Sequence, residues 1–275
     1  MVFVLPSVIM LFVLLVVPIF KAMSDSVSTD AGWGFDNYRR AIFDDALLHR
    51  AIWHTVKFAA LSVVGQYFIG FGIALLLNER LPARGLLRVA FMIPWMFPAV
   101  VPGIVWRWML DGQFGIINEL LYQLGYGGDY YTAWLGQTST ALYAATVANI
   151  WRGFPFMMVL LLAGLQGINR ELYEAASVDG ANRIDRFKSI TLPGMKGISF
   201  VVLLLAWISS FMNFAIVQIM TGGGPANSSE VVSTLIYKNA FLYMDIPYAA
   251  ALGMLLLFSL LVPGGLYVRQ TMRKE

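Results

Sequence analysis

Cysteine is absent from the 275-residue chain, which excludes disulfide frameworks, thiolate metal sites and cysteine nucleophiles in any redox compartment. Charge is scarce too: Asp, Glu, Lys and Arg make up 13% of the residues, about half the share in a soluble domain. No G-x-x-x-x-G-K-[ST] segment occurs, so the phosphate-cradling loop of nucleotide hydrolysis is missing. The only glycine cluster, Thr221–Pro225, has no lysine. His49 and His54 are poorly spaced to share one metal and are read as interfacial side chains. What is present is apolar: 59% hydrophobic residues and a mean hydropathy of +0.69 leave more apolar surface than one water-soluble core can hide, so the bilayer is part of the solvent.

Charge-free runs mark candidate membrane spans, because a charge at mid-bilayer costs roughly 2.5–3.5 kcal/mol on insertion scales. Five stand out: Met1–Phe20, Phe58–Asn78, Val89–Trp106, Ile198–Met220 and Ile246–Val268. A sixth, Ser139–Gly167, is broken only by Arg152. The runs are continuously apolar, without the period-2 alternation of a transmembrane barrel, so they read as helices. The first lacks the basic n-region, short apolar stretch and A-x-A site of a signal peptide and is read as a span. The segments Glu79–Arg88, Ile168–Lys196 and Arg269–Glu275 hold 11 of the 19 basic residues but 6 of the 16 acids, which places them, and both termini, on the cytoplasmic side. The expectation is an all-α polytopic membrane protein of six transmembrane helices. Lys21–Lys57 lies outside with a short interfacial helix, and Arg107–Thr138 and Thr221–Asp245, rich in Gly, Asn, Tyr and Trp, form irregular outer loops.

The inner segment Arg170–Lys196 has a definite plan. Glu171–Val178 are good helix formers that stop at Asp179-Gly180, where glycine can adopt the left-handed conformation. Ala181–Ser189 then form a second short helix, and Pro193 sets the entry into the fifth span. Small Ala175 and Ala176 beside Glu171 and Glu174 allow another protein to approach closely and place a basic side chain on a carboxylate.

The run Glu174, Ala175, Ala176, Asp179, Gly180, Ala181, followed by Phe187, Ile190, Leu192 and Pro193, resembles the EAA loop of bacterial ABC importer permeases. The resemblance extends through GFDNYRRA, RVAFMIPWMFPAVVPGIVWRWM, NIWRGFPFMM and TGGGPANSSE, and is closest to the first permease of the maltose and glycerol-phosphate type of carbohydrate-uptake system. It implies one importer transmembrane domain over 1–275, with core helices at about 52–268 and the coupling loop at 168–196. It also implies that Glu171, Glu174, Ala175, Ala176, Asp179, Gly180 and Ala181 dock on an ATPase subunit. The expected partners are a homologous second permease in a heterodimer, two ATP-binding subunits and an extracellular or periplasmic substrate-binding protein. ATP and Mg belong to the ATPase subunits, and this chain holds no cofactor.

Arg152 is the one charge within a span, and intramembrane charges mark candidate functional sites. Asn149, Arg152 and Phe156 share a helix face that Gly153 borders, and Ser209, Ser210 and Asn213 fall in one turn of the fifth span. Amide, guanidinium, hydroxyl and ring suit a sugar, whose hydroxyls take hydrogen bonds while its apolar faces stack on aromatics. By the resemblance, these seven positions line the sugar site, along with Ala206. Asn149, Gly153 and Asn213 match the maltose-type pattern; Arg152, Phe156, Ala206, Ser209 and Ser210 depart from it, so the sugar itself does not carry over. Two readings compete with binding: ordinary helix packing with Ser and Asn as interhelical glue, and an Arg152 that snorkels or pairs with another subunit. Pro94, Pro98 and Pro102 require the third span to bend or open, as a hinge or as a static kink. An ion-coupled secondary transporter is the alternative function, but it would be expected to show inverted repeats and intramembrane carboxylates, and no Asp or Glu lies in any span. An intramembrane hydrolase would need HExxH or a Ser/His or Asp pair at depth, and neither is present.

Overall fold

The computed structural model describes residues 5–29, 32–79, 81–126 and 132–272. Arg80 and the tail residues 273–275, counted above among the inner charges, lie outside them. Helices dominate because long apolar runs tolerate only a backbone that satisfies its own hydrogen bonds. Helix α1 (Pro6–Ser26) runs on past Phe20, with a π turn at Phe12–Val16. A two-residue antiparallel pair, β1 (Ser28–Thr29) and β2 (Gly32–Trp33), reverses the chain into the short helix α2 (Asp36–Arg39). The Asp45 carboxylate then accepts the Leu47 and Leu48 N–H groups at 2.8 and 2.9 Å and caps α3 (Ala46–Asn78), which starts well before the expected Phe58.

The third run is not one helix. It forms α4 (Arg84–Met96) and α5 (Val100–Met109), bent by 93° at a break that contains Pro98, with Pro94 and Pro102 inside the two helices. The outer segment expected to be irregular holds α6 (Ile116–Gln123). Beyond it come α7 (Ala141–Gln166), α8 (Arg170–Val178) and α9 (Arg183–Phe211). Helix α9 corrects the separate second inner helix: Arg183–Arg186, a π turn at Phe187–Thr191 and Leu192–Phe211 run on as one. Pro193 does not open a new helix, because the Leu192 N–H reaches back to the Phe187 carbonyl and this longer turn accommodates the missing proline donor. The fifth run also breaks, at Met212–Phe214, before α10 (Ala215–Met220). Two further helices follow, α11 (Val232–Tyr237), in a segment expected to be a loop, and α12 (Ile246–Met272). Among the described residues, α1, α3, α7 and α9 are long and apolar enough to cross a membrane; α4 with α5 makes a fifth crossing if the bent pair is one span, and α12 opens with a shorter apolar stretch, Ile246–Leu261.

The chain divides into two compact units, Met1–Thr55 with Ser229–Glu275, and Val56–Ser228. In the second, α3, α7 and α9 bury Phe71, Leu77, Met157, Leu161, Met195 and Val202 in one core. In the first, Ala41, Leu48, Ala51, Val232, Leu235, Tyr248 and Leu252 form the core. The Tyr248 hydroxyl donates to Asp45 at 2.5 Å, and Arg40 lies over its ring while pairing with Asp245 at 2.8 Å. Glu230 is fully buried, and Lys238, 17% exposed, pairs with one of its carboxylate oxygens. His54 bonds to the Glu230 carbonyl at 3.1 Å, and His49 to that of Ile42 at 2.9 Å.

A buried ion pair is far more sensitive to loss of one partner than of both. Lys238→Ala should therefore destabilise the protein by roughly 3–5 kcal/mol, read as a fall in the unfolding temperature in detergent. Glu230→Gln combined with Lys238→Met should lose much less, and a double variant less stable than the single one would contradict the assignment.

Candidate functional site

The loop between α7 and α9 is built from two opposed caps. Asn169 Oδ1 accepts the Glu171 N–H at 3.0 Å and starts α8. At its far end Gly180 stands at φ +81°, where a side chain would be strained. This conformation lets the Ala181 N–H reach the Ala176 carbonyl at 2.9 Å and the Gly180 N–H reach that of Ser177 at 3.2 Å, the paired bonds of a Schellman cap. One residue on, Asn182 Oδ1 accepts the Ile184 and Asp185 N–H groups while Asp185 accepts the Asn182 N–H, a reciprocal capping box that begins α9. Two bonds tie the helices together: Tyr173 to Thr191 at 2.9 Å, and Arg186 to Ser177 at 2.8 Å.

No residue of α8 is buried. Glu171, Glu174, Ala175, Asp179 and Gly180 are exposed, and Ala176 and Ala181 half-buried. Exposed Leu172 and Val178 give this helix an apolar surface turned outward. Between the loop and the end of α3 opens a cavity of about 610 Å³ lined by Asn78, Glu79, Tyr173, Glu174, Arg183 and Arg186 among others.

The polar cluster of the spans centres on Asn149 of α7, which is 3% exposed. Its amide nitrogen donates to Ser62 on α3 at 2.9 Å and to Ser210 on α9 at 3.3 Å; its side-chain oxygen accepts from Asn213 at 3.0 Å, and its carbonyl from Gln66 of α3 at 3.0 Å. The network thus joins three helices. Asn213 does not continue the turn of Ser209 and Ser210: it lies in the break after α9, where its oxygen also accepts the Ile216 N–H at 3.2 Å. Ser209 is exposed and stands apart from the network. Gly153 faces Gln66 so closely that an added Cβ would lie 2.3 Å from its amide nitrogen.

Arg152 and Phe156 take no part in this network. Phe156 stacks on Trp95 of α4 with centroids 5.8 Å apart, and Trp151 meets Trp106 of α5 edge-on at 6.1 Å. At 3.6 residues per turn, Arg152 falls between these two directions, on the side of α7 that faces the bent α4 and α5 pair. Of the seven positions, the structure joins Asn149, Ser210 and Asn213 directly, holds Gly153 against the network through Gln66, and sets Phe156 against Trp95. Ser62 and Gln66 were missed; their signal, two uncharged polar residues four apart in an apolar run, is visible only when amides and hydroxyls are tracked as well as charges.

Residues 66–268 match the family described as "Binding-protein-dependent transport system inner membrane component". The chain is 34% identical to the sulfoquinovosyl glycerol transport system permease protein SmoG of Agrobacterium fabrum, across 98% of this chain and 89% of that one. It is 36% identical to the trehalose/maltose transport system permease protein MalF of Thermococcus litoralis, across 86% and 81%. Its fold matches a chain in the crystal structure of a bacterial ABC transporter involved in the import of the acidic polysaccharide alginate, with a TM-score of 0.86, 24% identity and coverage of 99% and 94%.

The close approach of α7 to Gln66 is open to test. Gly153→Ala should displace Gln66 from the Asn149 carbonyl and destabilise the protein, whereas in a Gln66→Ala background the same change should be nearly neutral. A double-mutant cycle by denaturant unfolding should give a coupling of about 1–2 kcal/mol; strictly additive effects would rule out the contact.

Proposed function

The chain belongs to the family of binding-protein-dependent transport system inner membrane components, and on that premise we propose that it is the membrane-spanning permease of an ATP-driven carbohydrate importer. Its relatives are permease proteins of sugar uptake systems, and ATP hydrolysis belongs to separate subunits. In this reading residues 1–275 form one transmembrane domain of six spans in the bacterial inner membrane, with both termini inside. It pairs with a homologous permease, receives sugar from a substrate-binding protein, and works with two ATPase subunits that hold ATP and Mg.

The observation that carries the proposal is the inner loop. A Schellman cap and a capping box one residue apart fix α8 at a set angle to α9 while leaving no residue of α8 buried. Such a helix suits docking. Glu171 and Glu174 offer carboxylates to basic side chains of an ATPase cleft, Ala175, Ala176 and Ala181 allow close approach, and Asp179 and Gly180 hold the turn. Transport then proceeds by alternating access, in which closure of the ATPase pair favours a second arrangement of the spans. The substrate passes α7 and α9, where Asn149, Arg152, Gly153, Phe156, Ser209, Ser210 and Asn213 are the proposed binding positions. In the present arrangement the Asn149 amide is fully engaged by protein groups, so its contact with a sugar belongs to a state in which that network opens.

Charge reversal at exposed Glu174 tests the docking without touching the core. Glu174→Lys should reduce substrate-stimulated ATP hydrolysis of the reconstituted complex about thirtyfold, the equivalent of one interface hot spot. Gly180→Pro, which forces φ negative, should abolish co-purification of the ATPase subunits. Retention of both properties in both variants would remove the loop from the coupling path.

A further inference from the structure

We infer that the substrate carries an acidic substituent, a carboxylate or sulfonate, and that Arg152 receives it; the inference rests on the proposed reading of Val56–Ser228 as a sugar-translocating unit. Arg152 makes no hydrogen bond or ion pair with any described residue, and its Nε is enclosed without a partner. Its neighbours offer no counter-charge. Helices α3, α4, α5, α7 and α10 contain no Asp or Glu, and α9 contains only Asp185, at its inner end and committed to the capping box. Escape to the interface is also closed. Arg152 lies eleven residues from the start of α7 and fourteen from its end, about 16 and 21 Å along the axis, beyond the reach of an arginine stem.

The surrounding polar groups point the same way. Ser62, Gln66, Asn149, Ser210 and Asn213 satisfy one another, which leaves the guanidinium as the charged donor set not already used inside the protein. Along α7 it falls between Trp151, which meets Trp106, and Phe156, which stacks on Trp95, so the same stretch of helix carries rings that can take the apolar face of a sugar. Neutral hydroxyls would accept its hydrogen bonds without neutralising its charge. A two-oxygen acid does both, and matches the guanidinium fork in geometry.

The test uses the complete transporter in proteoliposomes with its partner permease, ATPase subunits and binding protein, and three matched probes: methyl glucoside, methyl glucuronide and a 6-sulfonated methyl glucoside. Uptake of an acidic probe is expected, reduced about tenfold or more in Arg152→Gln and partly restored in Arg152→Lys, with the partner subunits still co-purifying. Uptake of the neutral probe alone, or an acidic uptake that Arg152→Gln leaves unchanged, would overturn the inference while leaving the importer reading in place. Loss of the partner permease from Arg152→Gln complexes would also overturn it, by assigning the charge to a subunit contact. Failure of every probe both to enter and to stimulate ATP hydrolysis would count against the sugar-importer reading, and the inference with it.

Discussion

One carboxamide holds the second unit in register. Asn149 bonds to Ser62, Ser210 and Asn213 through its side chain and to Gln66 through its carbonyl, so α3, α7 and the end of α9 meet at a single residue. In an apolar surrounding there is little hydrophobic preference among helices that are all equally greasy, and close packing with a few interhelical hydrogen bonds decides their alignment. Gly153 extends the same constraint one turn along α7, because only hydrogen in place of a Cβ leaves room for Gln66. Each such bond contributes about 0.6 kcal/mol on average and at most roughly 2, so the network is strong enough to fix one arrangement and weak enough to be exchanged for another.

The continuity of α9 connects that network to the loop that carries α8. From Arg183 to Ser210 the chain is one helix, about 40 Å long, with α8 attached to its inner end by the two caps and by the Tyr173 and Arg186 hydrogen bonds. A displacement of α8 therefore has a stiff path to Ser210 and to the break at Asn213. The π turn at Phe187–Thr191 lies on that path, and such turns are common where helices must adjust.

Much of this was legible in the sequence, and what escaped has identifiable causes. Charge-free runs located the apolar helices, since the penalty for buried charge is large and depends little on context. The loop's plan was legible because Gly180 and the Asn and Asp residues around it act through local backbone chemistry. Helix continuity was not. Pro193 reads as a boundary, but a π turn just before it removes the need for its N–H, and that depends on backbone register rather than composition. Asn213 was placed within a turn of Ser209 and Ser210, yet Asn prefers the cap it forms over Ile216 to a helix interior. Helices α6 and α11 were hidden by Gly-rich neighbours that set the average character of their segments. Ser62 and Gln66 were passed over because they carry no charge, though in lipid an unpaired amide must also find a partner.

Two of the charges that the described residues enclose are handled in opposite ways. Glu230, fully enclosed, is matched by Lys238 eight residues on, so that unit carries its own compensation. Arg152 has no such match: α3, α4, α5 and α10 carry no Asp or Glu, and the one on α9, Asp185, is committed to the capping box. A lone guanidinium among helices contributes nothing to folding that Leu or Met would not supply better. An Arg152 at the middle of α7, on the helix that carries the saturated amide network, thus fits a counter-charge that comes from outside the chain, as inferred above.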